Sequence, residues 1–548
     1  MTAPIRRPPL AALLLAVAAA PWLIGAGNEL QDVDSAQYAD VARLIAQDNA
    51  WLKLRDSTGP FVNKPPLAIW AQAVAIEALG PTSLAARLPS LLFALLAIAA
   101  TFGLGRALLD PTRGAIAACL LAASVALQQM VSDPKVDLAL TAMATASLWA
   151  FVEGRKRPGF LWLGWVFAGL AVLSKGPLGL ALPAAAIAPE AIRHRWGGAQ
   201  QGTVLQRVLG LKPLRGLLIV AAIAAPYYWA VYQRDGADGA RFVLWQQNIG
   251  RLFGQSGYAN DTTPLFFLHT ALWVFLPFTP LLLIAFARPR LPRLPSEQRV
   301  LWWGFWIPFA AFSLSTYKLP QYIYCLAPVG ALIAADAACG LSARASHRAR
   351  VAMAALGGLG AGLIAWLLVA GFPPAGALGT ALGIGLALGL PAGAWAIARR
   401  WDPAWQLTSA AVGALAGLHL VYAGWLFPQA TAFQAGQRLA ERARAEDPAA
   451  PLLPFVDNQP TFAVAYYRGA RTALIGVDEL ASHVRAGTLS TVVVNAGAWP
   501  DFASVGLRAE PIAKFPAYPT SRPKLDFLRA STRPAQLQWR ELVRLKAP

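Results

Sequence analysis

A mainly α-helical, polytopic membrane protein is the fold class this sequence predicts, and three observations predict it. The 548-residue chain is 56% hydrophobic and only 14% charged, with a mean hydropathy of +0.46, more apolar than a water-facing surface tolerates. Its apolar residues fall into runs close to the roughly 20 residues that a helix needs to cross a bilayer. Its 47 Lys and Arg exceed 28 Asp and Glu, for a formal charge of +19, and the excess sits in alternate connections between those runs. That is the positive-inside pattern, and it says little about nucleic acid.

Thirteen spans are expected, at 9–27, 87–109, 114–131, 136–153, 160–174, 176–192, 216–233, 264–287, 300–317, 319–341, 351–371, 375–398 and 405–427. The first follows Arg6-Arg7 like a signal peptide, but the twelve spans after it favour a retained anchor. With the N-terminus in the cytosol, the cytosolic connections hold twenty-one basic residues, from Arg6 to Arg400, against about five acids. The loop 28–86 then lies outside, with Arg43, Lys53, Arg55 and Lys64 against seven acids. An odd number of spans places the C-terminus outside as well. The three cysteines (Cys119, Cys325, Cys339) all lie in apolar runs, so neither a disulfide framework nor a zinc cluster is expected.

Two regions stand outside this membrane body of residues 1–430. In the loop 28–86, Ser35–Gln47 and Pro65–Leu79 have the length and apolar content of juxtamembrane helices lying at the interface. The remainder, 431–548, is different in kind. Short β-branched runs at Leu452–Val456, Ala473–Val477 and Thr491–Asn495 alternate with helical stretches such as Asp478–Ala486, the pattern of a small α/β domain. Fifteen basic and ten acidic residues give this tail a soluble surface.

Charges that interrupt the apolar pattern are the functional candidates, because an ionisable group at membrane depth must be paired or line a cavity. In this topology Asp32, Asp34, Lys64, Arg87, Asp133, Lys135, Asp137, Lys175, Arg251 and Lys318 all map to the external side, at or just beyond span ends. Several cations and few carboxylates facing one cavity suit a lipid-linked phosphate. The bland alternative, snorkelling anchors, fits any one of them but not a whole set on the side where cations should be depleted. His269 and His419 have no second histidine at ligand spacing. There is no Walker loop or GxGxxG turn, so direct use of a nucleotide or nucleotide sugar lacks support.

The motifs themselves have a likeness. QDVDSAQYADVARLIAQDNAW (Gln31–Trp51) and NKPPLAIW (Asn63–Trp70) resemble the first external loop of GT-C membrane glycosyltransferases. The likeness is strongest to the lipid A aminoarabinose transferases and related dolichyl- or undecaprenyl-phosphate-sugar transferases. It continues through AARLPS (Ala85–Ser90), SDPKVDLALTAMATASLWAF (Ser132–Phe151), LSKGPLGLALP (Leu173–Pro183) and PYYWAVY (Pro226–Tyr232). QQNIGRLFG (Gln246–Gly254) and YKLPQYIYCLAP (Tyr317–Pro328) complete the ordered set, with a looser match at FAVAYYRGARTALIGVDEL (Phe462–Leu480).

This resemblance implies a GT-C fold in the bacterial inner membrane, with an external, periplasmic site. It implies an inverting transferase that moves a sugar, such as 4-amino-4-deoxy-L-arabinose, from undecaprenyl phosphate to lipid A or another envelope glycan. Asp34 takes the place of the family's catalytic aspartate, followed by Ser35 where the family has Glu; Asp32 could substitute for that second carboxylate. Tyr38 and Lys64 match active-site positions, and Asp137 matches the second aspartate, with Asp133 as a competitor one turn earlier. Lys175, Arg251 and Lys318 match positions expected to bind the donor's phosphate, and Arg87 and Tyr322 are placed with them. The resemblance leaves a divalent metal open as a cofactor without calling for one: aminoarabinose transferases often carry a metal-linked Glu before the motif Lys, and here that residue is Asn63. The partners implied are a polyprenyl-phosphate sugar, a lipid or glycan acceptor and the bilayer, with no nucleic acid, and the chain is expected to be a monomer.

Simpler roles stay open at this point. Asp34 could be an N-cap, Lys64 a solvated loop charge, Asp137 a structural partner of Lys135 or Arg87, and Tyr38, Tyr227, Tyr228 and Tyr322 belt aromatics. A protein O-mannosyltransferase-like or arabinan-type enzyme is the alternative within the fold. A lipid or sugar transporter is the alternative outside it, though transporters show internal repeats and midplane charges, whereas the charges here gather at one face.

Overall fold

The computed structural model describes residues 8–193, 203–255, 260, 262–287, 294–374, 377–399, 401–521 and 523–547. The basic residues Arg6, Arg7, Arg195, Arg288, Arg290, Arg293 and Arg400 of the expected cytosolic tally lie outside them.

Helices dominate the chain. Thr82 starts the longest of the early ones, its hydroxyl accepting from the Ala85 N–H at 3.1 Å, and Ser83–Leu108 then runs 26 residues, more than a bilayer crossing requires. It meets Pro111–Ala123 at paired glycines: a Cβ on Gly105 would lie 2.5 Å from the Gly114 Cα. Val136–Glu153 is the central helix, with 94% of its apolar window buried by protein. It therefore carries its first-turn Asp137 into the interior, while more peripheral helices such as Ala343–Trp366 face outward.

By length and composition, six described helices can cross a membrane: Ser83–Leu108, Val136–Glu153, Val204–Asn248, Pro320–Cys339, Ala343–Gly371 and Pro403–Thr431. A seventh arises if Pro111–Ala123 and Val125–Ser132, bent by 51°, count as one span. The expected thirteen exceed this number because several apolar runs are not single long helices. Ser124 caps a new helix in mid-run, accepting from Leu127 N–H at 3.2 Å. Run 264–287 divides into Phe266–Val274 and Thr279–Phe286 around Pro277, which cannot donate the N–H that an unbroken helix needs. Gly159–Lys175 and Leu178–Ile192, expected as two spans, are separate helices of 17 and 15 residues, too short to be counted with the six, and they part where Gly176 adopts φ +66°.

The loop after the first helix contains two helices, Asp34–Asp48 and Leu67–Leu79, joined by a two-stranded ribbon, Arg55–Asp56 with Gly59–Pro60. Buried Asp40 ties the loop together. It holds Arg43 at 2.6 Å and accepts from the Ser57 N–H and hydroxyl at 2.9 and 2.6 Å.

Residues 452–546 form a five-stranded mixed sheet in the order Arg471–Leu474, Leu452–Phe455, Thr491–Asn495, Gln538–Lys546, Arg508–Ala517. The first three strands are parallel and the last two pair antiparallel. The sheet region is fastened to the loop. The Tyr467 hydroxyl accepts from the Leu30 N–H at 2.8 Å and meets Ser83 Oγ at 2.7 Å. Tyr466 donates to the Thr82 carbonyl at 2.8 Å, and Glu29 accepts from the Gln437 N–H at 2.7 Å.

Candidate active site

Helix starts and ends deliver most of the charged groups to one place. Asp34 is the first residue of Asp34–Asp48, where a carboxylate is favoured by the exposed N–H groups. It makes no capping bond, and Val33 occupies the cap position. Its carboxylate faces the Lys135 ammonium at 3.3 Å, with the side chain 46% exposed. Lys135 also binds Asp133 at 2.8 Å, so one cation bridges two carboxylates. Those charges hold its pKa above the ordinary lysine value even though burial opposes them. Tyr38, one turn along, is buried with its ring edge-on to Phe61. Burial, and then the charges of Asp34, Asp137 and Asp133, hold its phenol protonated.

Lys64 lies just before Pro65-Pro66, whose fixed φ stiffens the approach to the next helix. Its carbonyl accepts from the Tyr227 hydroxyl at 3.2 Å. Its ammonium reaches Gln247 Oε1 at 3.4 Å. Burial lowers its pKa to about 7, helped by the positive charges of Arg251 and Lys175. Asp137 pairs with Lys175 at the end of Gly159–Lys175, and the Lys175 ammonium lies 4.9 Å from the centre of the Tyr322 ring. Arg251 donates to the Tyr322 hydroxyl at 2.7 Å and to Gln247 at 2.5 Å, with its guanidinium over Tyr317 at 5.3 Å.

These groups enclose three adjoining spaces. A chamber of about 200 Å³ is lined by Asp34, Tyr38, Asn63, Lys64, Asp137, Lys175, Arg251 and Tyr322, with Gln37, Gln247, Tyr317, Leu319 and Gln321. Lys64, Lys175, Gln247, Arg251 and Tyr322 also line a groove of about 320 Å³ whose other walls include Leu178, Ala181, Ala311 and Phe312. On its other side the chamber shares Asp34, Asp137, Leu319 and Gln321 with a polar cavity of about 860 Å³ that also holds Asp133, Lys135 and Lys318.

The structure thus brings together Asp34, Tyr38, Lys64, Asp137, Lys175, Arg251 and Tyr322. Lys318 stands off in the larger cavity, its ammonium on the Thr262 carbonyl at 3.3 Å and its N–H on Asn260 Oδ1 at 3.0 Å. Arg87 is a correction. Its Nε donates to the Ser132 carbonyl at 3.0 Å and its Nη2 to that of Glu29 at 3.1 Å. Its Nη1 serves the carbonyls of Ala26 and Asn28. Fully enclosed and committed to backbone, it fastens the loop to the membrane body and lines none of the three spaces. Asp32 lines the large cavity, while its Oδ1 accepts from the Ala463 N–H at 3.1 Å at the start of Phe462–Arg468.

Gln247, Tyr317, Gln321 and the bridging role of Lys135 were not singled out from the sequence. Gln247 was signalled only by its spacing, one turn before Arg251. Among the described residues, no group of three or more His, Cys, Asp or Glu side chains is arranged to hold a metal ion. The carboxylates at the chamber are engaged by lysines.

Known proteins resemble this chain in sequence and in fold. Residues 63–229 match the family model for dolichyl-phosphate-mannose-protein mannosyltransferase. The undecaprenyl phosphate-alpha-4-amino-4-deoxy-L-arabinose arabinosyl transferase of Pseudomonas aeruginosa (strain UCBPP-PA14) is 28% identical over 323 residues, covering 55% of this chain and 54% of that protein. Its counterpart in Edwardsiella ictaluri is 29% identical over 333 residues, 56% and 55% of the two chains. The match spans about half the length of these curated relatives. The crystal structure of ArnT from Cupriavidus metallidurans bound to undecaprenyl phosphate superposes with a TM-score of 0.77 at 19% identity, covering 98% of both chains. The chain has the fold of that structure, the GT-C fold. The apo ArnT structure gives a TM-score of 0.75 over 97% of each chain at 18% identity, so the ArnT likeness runs through the sheet region as well as the helices.

Proposed function

We propose that this protein is an inverting glycosyltransferase that uses a polyprenyl-phosphate-linked sugar at the external face of a bacterial inner membrane. The observation that carries the reading is the chamber in which Asp34 and Asp137 face Lys64, Lys175 and Arg251, set between an apolar-walled groove and a large polar cavity. In this reading residues 1–430 are the catalytic membrane unit and 431–548 a periplasmic domain.

The donor's tail lies along the groove, and its phosphate meets Lys64, Lys175, Arg251 and the Tyr322 hydroxyl. The acceptor enters through the large cavity, where Lys135 and Lys318 stand among Asp32, Asp34, Asp133 and Asp137. The acceptor oxygen attacks the anomeric carbon from the face opposite the phosphate. The bond between that carbon and the phosphate oxygen breaks, and its electron pair leaves with polyprenyl phosphate. The three cations stabilise the charge that develops there. A hydroxyl acceptor passes its proton to Asp34; an ionised phosphate acceptor needs only to be oriented, through Lys135 beside Asp34. Configuration inverts, and a retained configuration in the product would overturn this mechanism.

The sugar favoured by the relatives' names is 4-amino-4-deoxy-L-arabinose, and the motif resemblance favours lipid A as acceptor. The mannosyltransferase match over 63–229 favours mannose as the second reading. Mass spectrometry of lipid A and envelope glycans from cells with and without the gene decides between them. Asp34→Asn is expected to abolish the new product with normal membrane insertion; undiminished product from that variant refutes the assignment of Asp34.

A further inference from the structure

A second cavity, sharing no lining residue with the chamber, lies elsewhere in the helical body. Pro320–Cys339 leads away from the active-site residues across one span, and Ser342 then caps the returning helix Ala343–Trp366 by accepting from the Ala345 N–H. Between this helix and its neighbours Ala377–Ala398 and Pro403–Val421 lies a space of about 480 Å³. Its walls include Ala354, Gly358, Ala387 and Ala414, and its polar end is formed by His347 and Arg350. Exposed Val351 and Leu388 border it on the outward side, where lipid chains would pass.

The polar end is strongly one-signed. In sequence, Arg344, His347, Arg348 and Arg350 lie at the start of the first of these helices and Arg399 follows the second, and between Gly340 and Gln406 the single carboxylate is Asp402. Arg350 is held in place by Gln406, which accepts from its Nη1 and itself donates to the Trp401 carbonyl at 2.7 Å. The Arg350 Nε is buried and has no hydrogen-bond partner among the described residues. A buried guanidinium N–H is costly without an acceptor, and an anionic oxygen is the acceptor it favours most. A free phosphate would satisfy Arg350 but leave the apolar space empty. A zwitterionic lipid would fill the space but present its own cation to the arginines.

From this pairing we infer a binding site for one anionic phospholipid, its phosphate on Arg350 beside His347 and one acyl chain between the three helices. Basic pockets between membrane helices suit such head groups. The site is separate from the transferase reading and does not depend on it.

Native mass spectrometry of the full-length protein, released from detergent with added lipid, tests this. Dioleoylphosphatidylglycerol is expected to be retained about tenfold more than dioleoylphosphatidylcholine, with glycerol 3-phosphate unable to displace it. Arg350→Gln should bring the two lipids to parity, and Arg350→Lys should keep much of the preference. Gly358→Leu tests the apolar half, because a Cβ there meets no atom within 4 Å; it should block retention while leaving the arginines and the melting profile unchanged. Equal retention of both lipids by the unaltered protein overturns the site. So does an unchanged preference in Arg350→Gln and Gly358→Leu together, or displacement by glycerol 3-phosphate, which would mark a plain phosphate site.

Discussion

On the proposed reading, Lys64 couples donor binding to pH. In the empty chamber its pKa is lowered to about 7 by burial and by the neighbouring charges of Arg251 and Lys175, so it is largely neutral at pH 8.5. A bound phosphate adds a negative charge beside it and returns the pKa toward the ordinary lysine value of about 10.4. The complex then holds more protons than the free protein above pH 7, so donor affinity falls as pH rises through 7 and is flat below it. A displacement of 1.5 pH units above the pKa corresponds to about a 30-fold loss, or about 2 kcal/mol. The assay is calorimetric titration with a short-chain polyprenyl phosphodiester, which has no ionisation of its own in this range. Affinities at pH 6 and 8.5 should differ by about 30-fold, and buffers of different ionisation enthalpy should report uptake of nearly one proton at pH 8. Lys64→Arg keeps its charge throughout and should flatten the profile. Equal affinity at both pH values, with no proton uptake, refutes the reasoning.

Arg87→Ala removes the donors to four backbone carbonyls and should lower thermal stability by roughly 3 kcal/mol or more; normal stability with impaired donor binding would return Arg87 to the phosphate site. Asp137→Asn frees Lys175 from its carboxylate, so phosphodiester binding should tighten severalfold while turnover falls, read by calorimetry and product assay. Tyr467→Phe leaves the Leu30 N–H without its acceptor and should cost about 1–3 kcal/mol, seen as a lower melting temperature and faster proteolysis near residue 430.

The helical, membrane-borne character of the chain was legible because apolar runs and basic connections are written directly in composition. Their division into spans was not, since Ser124 and Pro277 break helices inside runs that average as continuous. The charged members of the chamber were legible because Asp34, Lys64, Asp137, Lys175 and Arg251 interrupt apolar patterns. Gln247 and Gln321 do not, and neutral amides declare themselves only when a tertiary partner is seen. Arg87 misled for a related reason: its ligands are backbone carbonyls, which no side-chain pattern marks. Asp32 meets a helix start 431 residues away in sequence, a distance no local reading spans. The two antiparallel strands Arg508–Ala517 and Gln538–Lys546 escaped notice because prolines and charges on their open face mask the alternation of the strand.

The chamber has two doors, one toward the greasy groove and one toward the polar cavity, and no substrate must cross the other's path to reach it. On the proposed reading arrival order is therefore free, and neither product has to wait for the other to depart. No side chain is charged with carrying the sugar between two half-reactions. Initial-rate plots at several fixed acceptor concentrations should accordingly intersect instead of running parallel, and a spent lipid carrier should compete with fresh donor while leaving the acceptor's doorway open.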